Sequence, residues 1–545
     1  MALSVALSLA SALLGALALP NELFLYGAWP LGFFALAPLY LALSSCRKPG
    51  QAALLGALYG GLHHALSSYW LYFYRGFAFW TLGSTTIAYA AIYAIAAAYA
   101  QFLLSGKNSA YRPFIFALGW TVLEFFKSIG FLGYPWGLIP YSLSTLPLLL
   151  QIADITGVYG LSFLLALASA IIADWLGVFG SITEKLRRSA FFLVLLGLCL
   201  GYGLYSINRT IPIKSEFNAL LVQQNTDPWI AGELAALSSN LELTKKALHT
   251  ESSDSAPPPV DLIVFSENSL RRPLEDFRQW YSRNPPEEPL LPFLVETGIP
   301  LLTGSPIVLD WDNYEATNSV ILVSPEGQTL DSYAKMHPVP FAEAIPFWEY
   351  EWFRDFMQNV VGLESGWVMG TEYKIFEFEP KGSQAGTIRF STPICFEDAF
   401  ASLCRRYFLK GADLLINLTN DSWSLTKSAQ IQHWAIARFR AIENRRTLVR
   451  STNSGITCVV DPWGRSTSEL PQFEAQTMIV RVPVYADSGF TVYSRFGDWF
   501  ALLCLLLLSI AAVLIYRESL GASAAYRAGA LPCAASSPRS KRRKQ

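Results

Sequence analysis

Eight long apolar stretches dominate this chain, and they constrain its fold more than anything else in it. They cover residues 2–19, 23–45, 52–73, 79–104, 112–131, 158–179, 190–208 and 497–516. A helix that crosses a bilayer needs about 20 predominantly apolar residues, so each stretch is a candidate span. Composition agrees. Only 15% of the 545 residues are charged and 52% are hydrophobic, whereas about 25% are charged in a soluble globular protein. Mean hydropathy is +0.31. The net charge of −1 gives no global field that would attract nucleic acid.

Charges between the stretches predict an orientation. Arg47 and Lys48 follow the second, Lys107 and Arg112 lie between the fourth and fifth, and Lys185, Arg187 and Arg188 lie between the sixth and seventh. Arg517 and the run Lys541, Arg542, Arg543, Lys544 follow the eighth. The alternate loops are poorer, with Arg75 in one and Lys127 in another. The positive-inside rule then puts both termini in the cytoplasm and residues 210–495 on the far side, the periplasmic side in a bacterium. Residues 2–19 end in ALALP like a signal peptide but lack its basic start, so an anchor is expected. Glu124 and Asp154 are the charges inside apolar stretches. Such charges mark transport paths in some proteins, but a structural role is expected for both, and a packed polar pair for His63 and His64.

Residues 210–495 change character. FNALLVQQ, VDLIVF, IPLLTGSP, NSVILVS, GTIRFSTPI, ADLLINL, RTLVRST, GITCVVD and TMIVRV are short and rich in Val, Ile and Leu, the pattern of strands buried on both faces. ELAALSSNLELTKKAL and QIQHWAIARFRAIEN read as helices between them. The class is α/β or α+β, with helices covering sheets. ESSDSAPPPV (251–260) reads as a flexible insertion, and the basic tail after Arg517 as disordered. The expected division is a membrane domain over 1–209, an extramembrane domain over 210–495, a last span over 496–517 and a tail over 518–545. The seven cysteines form no CxxC and no His/Cys cluster, so neither a disulfide framework nor a metal site is implied. No cofactor is called for.

Three residues follow apolar runs in a way that suggests chemistry: Glu267 after DLIVFS, Lys335 after DSYA, and Cys395 after IRFSTPI. A base, a cation and a thiol at strand ends are the parts of a covalent acyl-transfer site. Cys395 precedes FEDAFASLCRRYF, and a thiol at a helix N-terminus is biased toward thiolate. Glu267 can take the thiol proton, and Lys335 can stabilise an oxyanion. Glu343 and Glu397 lie nearby in sequence and would help to keep the lysine protonated. Taken singly, each has a bland reading as a surface charge or packed thiol, the reading that suits Cys404 and Cys458. A Cys–His pair using His337 or His433 is a rival, weakened because neither histidine has an evident orienting partner. The run IPFWEYEWFRDFM (345–357) interleaves Phe347, Trp348, Tyr350, Trp352, Phe353 and Phe356 with acids. Aromatic side chains favour membrane interfaces, so this run is expected to be a lid or a loop through which lipid enters. Trp348 and Trp352 would line its mouth.

FSENS, YAKMHPVPFAEAIPF, PICFED and NLTNDSW resemble the four main blocks of the nitrilase superfamily. With GYPWGLIPYS (133–142) and QIADITGVYGLSFL (151–164) added, the whole chain is similar to the apolipoprotein N-acyltransferase family. The resemblance implies a multi-span helical domain joined to an αββα sandwich, and a ping-pong reaction. In it Cys395 takes an acyl chain from a membrane phospholipid as a thioester, and the N-terminal amine of a diacylglyceryl-cysteine apolipoprotein accepts it. Carried over by motif, Glu267 is the base, Lys335 the oxyanion stabiliser, Cys395 the nucleophile, and Glu343 and Glu397 supporting acids. Trp229, Trp423 and Asn420 fall on the substrate side. The sequence departs from the pattern at Ser266 (usually proline), Phe396 (commonly tyrosine) and Ser424 (an aromatic). Two other functions fit the residues: a membrane-tethered amidase or lipid hydrolase, and a transporter or receptor with a ligand-binding outer domain. An intact Glu267, Lys335 and Cys395 set argues against the last.

Overall fold

The computed structural model describes residues 1–74, 79–105, 111–177, 180–249, 259–313, 315–362, 366–381, 386–486 and 489–527. Arg75, Lys107, the run Lys541–Lys544, most of the 251–260 insertion and the tail beyond 527 lie outside the described residues.

Apolar length makes helices in the N-terminal region, and proline decides where they break. Among the described residues, four helices are long and apolar enough to cross a bilayer: Phe79–Leu104, Tyr159–Leu176, Ile182–Asn208 and Trp499–Leu520. The helix Tyr159–Leu176 is mostly buried among its neighbours, whereas Ile182–Asn208 and Trp499–Leu520 are mostly exposed. A helix with apolar side chains all round its exposed surface needs lipid as its solvent, so the chain is a membrane protein. Residues 2–19, 52–73 and 112–131 form the helices Ala2–Ala18, Pro49–Ser67 and Arg112–Lys127, which are shorter or less apolar. The stretch 23–45 is not one unbroken α-helix. It breaks into Trp29–Gly32 and Ala37–Ser44, each with proline in its first turn, because proline is tolerated there but cannot continue a preceding helix. His63 stacks on Tyr59, and His64 stacks on Tyr89 and bonds Thr85. Glu124 is buried and accepts from Trp120 Nε1 at 3.1 Å and the Ile139 N–H at 2.8 Å.

Strands of the second half form two six-stranded sheets. One is ordered β12-β1-β2-β3-β4-β5, from Gln476–Tyr485 (β12), Ile213–Gln223 (β1), Leu262–Val264 (β2), Leu301–Asp310 (β3), Glu315–Val323 (β4) and Thr329–Ala334 (β5). The other is ordered β11-β10-β9-β8-β7-β6, from Ser466–Glu469 (β11), Cys458–Val460 (β10), Leu448–Thr452 (β9), Leu414–Thr419 (β8), Ile388–Ser391 (β7) and Phe376–Phe378 (β6). In each sheet three central strands run parallel, β1-β2-β3 and β7-β8-β9, and the outer pairs are antiparallel. Central β2 and β8 are wholly buried, which requires cover on both faces. The sheets meet face to face at Phe217 against Phe378, 5.1 Å between rings, and at Ser451 Oγ bonding the Val264 carbonyl. Helices Glu233–His249 and Leu290–Thr297 pack on the first sheet, and Ala401–Leu409 and Lys427–Asn444 on the second. The half is an αββα sandwich. Three strands, β5, β6 and β11, escape the apolar-run reading because they are short or half-exposed edge-side strands.

Polar bonds lock the two halves together. Gln432 Nε2 donates to the carbonyls of Pro20 and Ser67 at 2.8 and 3.0 Å. Trp70 Nε1 donates to Gln432 Oε1, and Trp463 Nε1 to the Ser206 carbonyl. Arg445, just past the helix Lys427–Asn444, reaches Asp154 Oδ2 at 2.8 and 3.0 Å and the Gln151 side chain at 2.6 Å. Tyr202 donates to the same carboxylate. Asp154 is therefore a tie between halves. Removing one partner of a buried pair leaves a charge that typically costs about 3–5 kcal/mol. Asp154→Ala is expected to lower the thermal midpoint of the detergent-solubilised protein clearly, with Asp154→Asn milder. An unchanged midpoint in both would contradict this role.

Candidate active site

Strand ends of the two facing sheets bring the site together. Glu267 follows β2, Lys335 follows β5, and Cys395 follows β7. Lys335 Nζ lies 3.2 Å from Glu267 Oε1 and 2.8 Å from Glu343 Oε2. Asn318, in β4, donates from one amide nitrogen to Glu267 Oε1 at 2.9 Å and Glu343 Oε1 at 3.0 Å. The second Glu267 oxygen accepts the Asn420 N–H at 3.0 Å, and Glu343 accepts the Val339 N–H at 2.7 Å. Glu267, Lys335 and Cys395 are all buried. Burial works against the Lys335 charge, but Glu267 and Glu343 outweigh it and hold the ammonium well above the usual lysine range.

Close backbone approach fixes Glu267. A Cβ on Gly304 of β3 would sit 2.3 Å from the Asn268 nitrogen and 2.9 Å from the Glu267 Cα, so only glycine fits beside the carboxylate-bearing turn. Ser266 is buried and exchanges hydrogen bonds with the Gln224 side chain at 2.9 and 3.1 Å. A hydroxyl anchor thus stands where the resembled pattern usually has proline.

Cys395 has φ +49°, a left-handed conformation that costs a non-glycine residue of order 1–3 kcal/mol. The surroundings hold it there. Asn417 Nδ2 bonds the carbonyls of Pro393 and Cys395. Glu397 lies at the end of five hydrogen bonds, accepting from the N–H groups of Ile394, Met336 and His337 and at both oxygens from the Tyr333 hydroxyl. Tyr407 donates to Tyr333 in turn. Glu397 therefore ties the Cys395 turn to the chain just after Lys335 and makes no ion pair with that lysine. Burial pushes it up to about 7, against the pull of those donors and of Lys335.

The sequence reading placed the thiol at a helix start that would favour thiolate. The structure differs. Cys395–Ala399 is a five-residue 3-10 turn, and the α-helix begins only at Ala401. Burial pushes the thiol well above the usual range, Glu267 adds to the rise, and Lys335 opposes it. The histidines differ too. His433 has two orienting carboxylates, Asp398 and Asp421, at 2.9 and 2.8 Å, which occupy both ring nitrogens. His337 lies against Phe400 with ring centres 3.8 Å apart, and burial beside Lys335 lowers it to about 4.

The other candidates surround this centre. Phe396 stacks on Trp136 of the GYPWGLIPYS segment, 5.3 Å apart and 10° from parallel. Trp423 packs against Trp70 and Tyr74, and Ser424 bonds the Asp421 carbonyl. Trp229 lies under the Arg271 guanidinium at 4.1 Å, on a segment tied to the site by Ser422 Oγ bonding Asp227. Trp348 and, from the membrane half, Trp80 both pack against Ile345, Met357 and Val361, whereas Trp352 is 71% exposed. Asn318, Gly304, Tyr333 and Tyr407 were not foreseen, since they come from strands and a helix whose pairing no linear spacing reveals.

Alkylation of Cys395 by iodoacetamide should rise with pH to a midpoint above the ordinary thiol value of about 8.5. Glu267→Gln removes an anion and should lower that midpoint, and Lys335→Met should raise it. A wild-type midpoint below about 8 would contradict burial as the dominant influence.

Comparison with known proteins agrees with this architecture. Residues 11–171 match the Apolipoprotein N-acyltransferase N-terminal domain, and residues 221–486 match the Carbon-nitrogen hydrolase family. Apolipoprotein N-acyltransferase 2 of Treponema denticola is 40% identical over 91% of this chain and 95% of its own. Its namesake in Treponema pallidum is 40% identical over 92% and 93%, and Apolipoprotein N-acyltransferase of Borreliella burgdorferi is 32% identical over 90% and 91%. Among solved structures, Nit3 of Saccharomyces cerevisiae is 19% identical, with a TM-score of 0.34 over 52% of this chain and 94% of its own. With matches to both halves and identities of 32–40% along nearly its whole length, the chain is an acyltransferase that belongs to the apolipoprotein N-acyltransferase family.

Proposed function

We propose that this enzyme transfers an acyl chain from a membrane phospholipid, through a Cys395 thioester, to the N-terminal amine of a diacylglyceryl-cysteine apolipoprotein. The observation that carries the reading is the buried Lys335 ammonium held between Glu267 and Glu343, with the Cys395 turn tied by Glu397 to the chain just after that lysine. Glu267 takes the Cys395 proton as Sγ attacks the ester carbonyl. The Lys335 ammonium stabilises the resulting oxyanion. Collapse breaks the ester C–O bond, and the lysophospholipid leaves with the proton from Glu267. The lipoprotein amine then attacks the thioester carbonyl, Glu267 accepts its proton, and the C–S bond breaks to return the thiol. Glu343 keeps Lys335 charged and placed, and Glu397 positions the Cys395 turn. Asn420 places Glu267 through its N–H. Trp229, Trp348, Trp352 and Trp423 face substrate.

A hydrolase on the same scaffold would use water in the second step, and the family membership favours the amine. A Cys–His pair is disfavoured because both His433 nitrogens already bind carboxylates. Membrane segments within 1–209 and 496–517 hold the enzyme in the bacterial inner membrane. Residues 210–495 are periplasmic and both termini cytoplasmic, the arrangement that the basic loops support. Lifting an acyl chain into water costs about 0.8 kcal/mol per CH₂, so lipid reaches the thiol from the bilayer side. The partly exposed Trp348 and Trp352 segment, against Trp80 of the membrane half, suits that route.

Cys395→Ser should abolish transfer while the protein stays folded in the membrane fraction. Glu267→Gln should slow acyl-enzyme formation by about 10²–10⁴-fold and Lys335→Ala by about 10²–10³-fold. Transfer that survives Cys395→Ser would overturn the assignment. Changing Trp348 and Trp352 together to Ser should weaken use of long-chain phospholipid far more than reaction of Cys395 with a small thiol reagent. Equal effects on both would show that the segment only supports the fold.

A further inference from the structure

Behind the Cys395 turn lies a buried charge cluster that the reaction above leaves unused. His433 sits in the helix Lys427–Asn444, with Nε2 2.9 Å from Asp398 Oδ1 and Nδ1 2.8 Å from Asp421 Oδ1. Arg450 of β9 bonds the other Asp398 oxygen and lies 3.6 Å from Asp421 Oδ2. None of the four side chains is more than 8% exposed.

Geometry fixes the state of the ring. A carboxylate only accepts hydrogen bonds, and a neutral imidazole has one donor and one acceptor. A neutral His433 would therefore set a lone pair against one of the two carboxylates. Both contacts are hydrogen bonds only when both nitrogens carry hydrogen. Two positive charges then balance two negative ones in the buried cluster. The charged groups facing the ring are Asp398 from the turn, Asp421 from the loop after β8, and Arg450 from β9. Burial and Arg450 lower the imidazolium, while Asp421 and Asp398 raise it to about 9.

The cluster joins two backbone segments that carry the site. Asp398 belongs to the turn Cys395–Ala399. Asp421 directly follows Asn420, whose N–H binds Glu267. A Cβ on Gly455 would meet Asp421 Oδ2 at 2.7 Å, so the carboxylate is confined from the far side as well. Trp136 packs on both His433 and Phe396, which brings the membrane half to the same point.

We propose that His433 is a positioning residue for acyl transfer: by bridging Asp398 and Asp421 it fixes the Cys395 turn against the Asn420 loop, and so sets the thiol against Glu267. It touches no substrate and moves no proton in the reaction. The inference rests on the Cys395 acyl-enzyme proposed above and adds a residue to it.

The test uses the full-length protein in detergent or proteoliposomes, with His433→Gln, His433→Leu and Asp398→Asn. Acyl-enzyme formation from phospholipid is followed together with the thermal midpoint and the pH profile. His433→Leu should lower kcat by about 10–100-fold, the scale on which small misplacements act, with KM for phospholipid nearly unchanged. His433→Gln, which can still donate to one carboxylate, should recover part of that loss. In wild type the rate should fall as pH rises through about 9, and that limb should be missing from both His433 variants. The effects of His433→Gln and Asp398→Asn should be non-additive in kcat. An unchanged kcat in His433→Leu would overturn the proposal. So would a loss of kcat that merely follows loss of folded protein, with the same pH profile as wild type. If wild type forms no acyl-enzyme from phospholipid at all, the function proposed above fails, and this inference fails with it.

Discussion

A single buried ammonium organises this enzyme. Removing Lys335 and Glu267 from water costs several kcal/mol per ion, and only close pairing, with the partly buried Glu343 as a second anion, makes that tolerable. The pairing is close: both carboxylates lie within 3.2 Å of Nζ, and Asn318 bridges them from a neighbouring strand. Because the cation is fixed by two anions, it cannot drift toward the thiol or out to solvent. Its position is set before substrate arrives, which is the condition under which an electrostatic group is worth most to a transition state. The cysteine is held by the opposite means. Its own side chain makes no ion pair; a left-handed backbone, the hydrogen bonds around Glu397 and the pairs made by Asp398 in the same turn hold it.

The same network explains why the sandwich and the membrane half form one body. Phe396, the residue after Cys395, stacks on Trp136 from the membrane half. The helix Lys427–Asn444 carries His433 toward the Cys395 turn and Gln432 toward the carbonyls of Pro20 and Ser67. One turn of that helix thus supports the site on one side and grips the membrane half on the other. An enzyme whose substrates remain in the bilayer benefits from such coupling, since the thiol must stay at a fixed depth relative to the lipid.

Much of this was legible in the sequence, for physical reasons. Central parallel strands are buried on both faces, so β2 and β8 appear as short runs rich in Val, Ile and Leu. Glu267 and Cys395 stand out because a polar group directly after an apolar run lies at a strand end, and Lys335 through the motif around it. The exposed helices Ile182–Asn208 and Trp499–Leu520 are plain from length and hydropathy. Other features depend on pairings that no linear pattern carries. Asn318 sits mid-strand in β4 and matters only because β4 pairs with β5 beside Lys335. His433 looked unpartnered because Asp398 lies 35 residues away and Arg450 belongs to the next strand. The stretch 23–45 had the apolar length of a span, but Pro30 and Pro38 break it into short helices. The expected thiolate failed for a related reason: a short 3-10 turn, and not an α-helix, follows Cys395, so burial decides.

The account stands or falls on a covalent intermediate at one sulfur. The most direct measurement is peptide-mapping mass spectrometry of the purified protein after incubation with a phospholipid of defined acyl chain and no acceptor. The predicted result is that acyl mass on the peptide containing Cys395, labile to hydroxylamine and discharged on adding a diacylglyceryl-cysteine peptide whose amine gains the same chain. An adduct on Cys404 or Cys458 instead, or acyl transfer to the peptide with no adduct at Cys395, would contradict it.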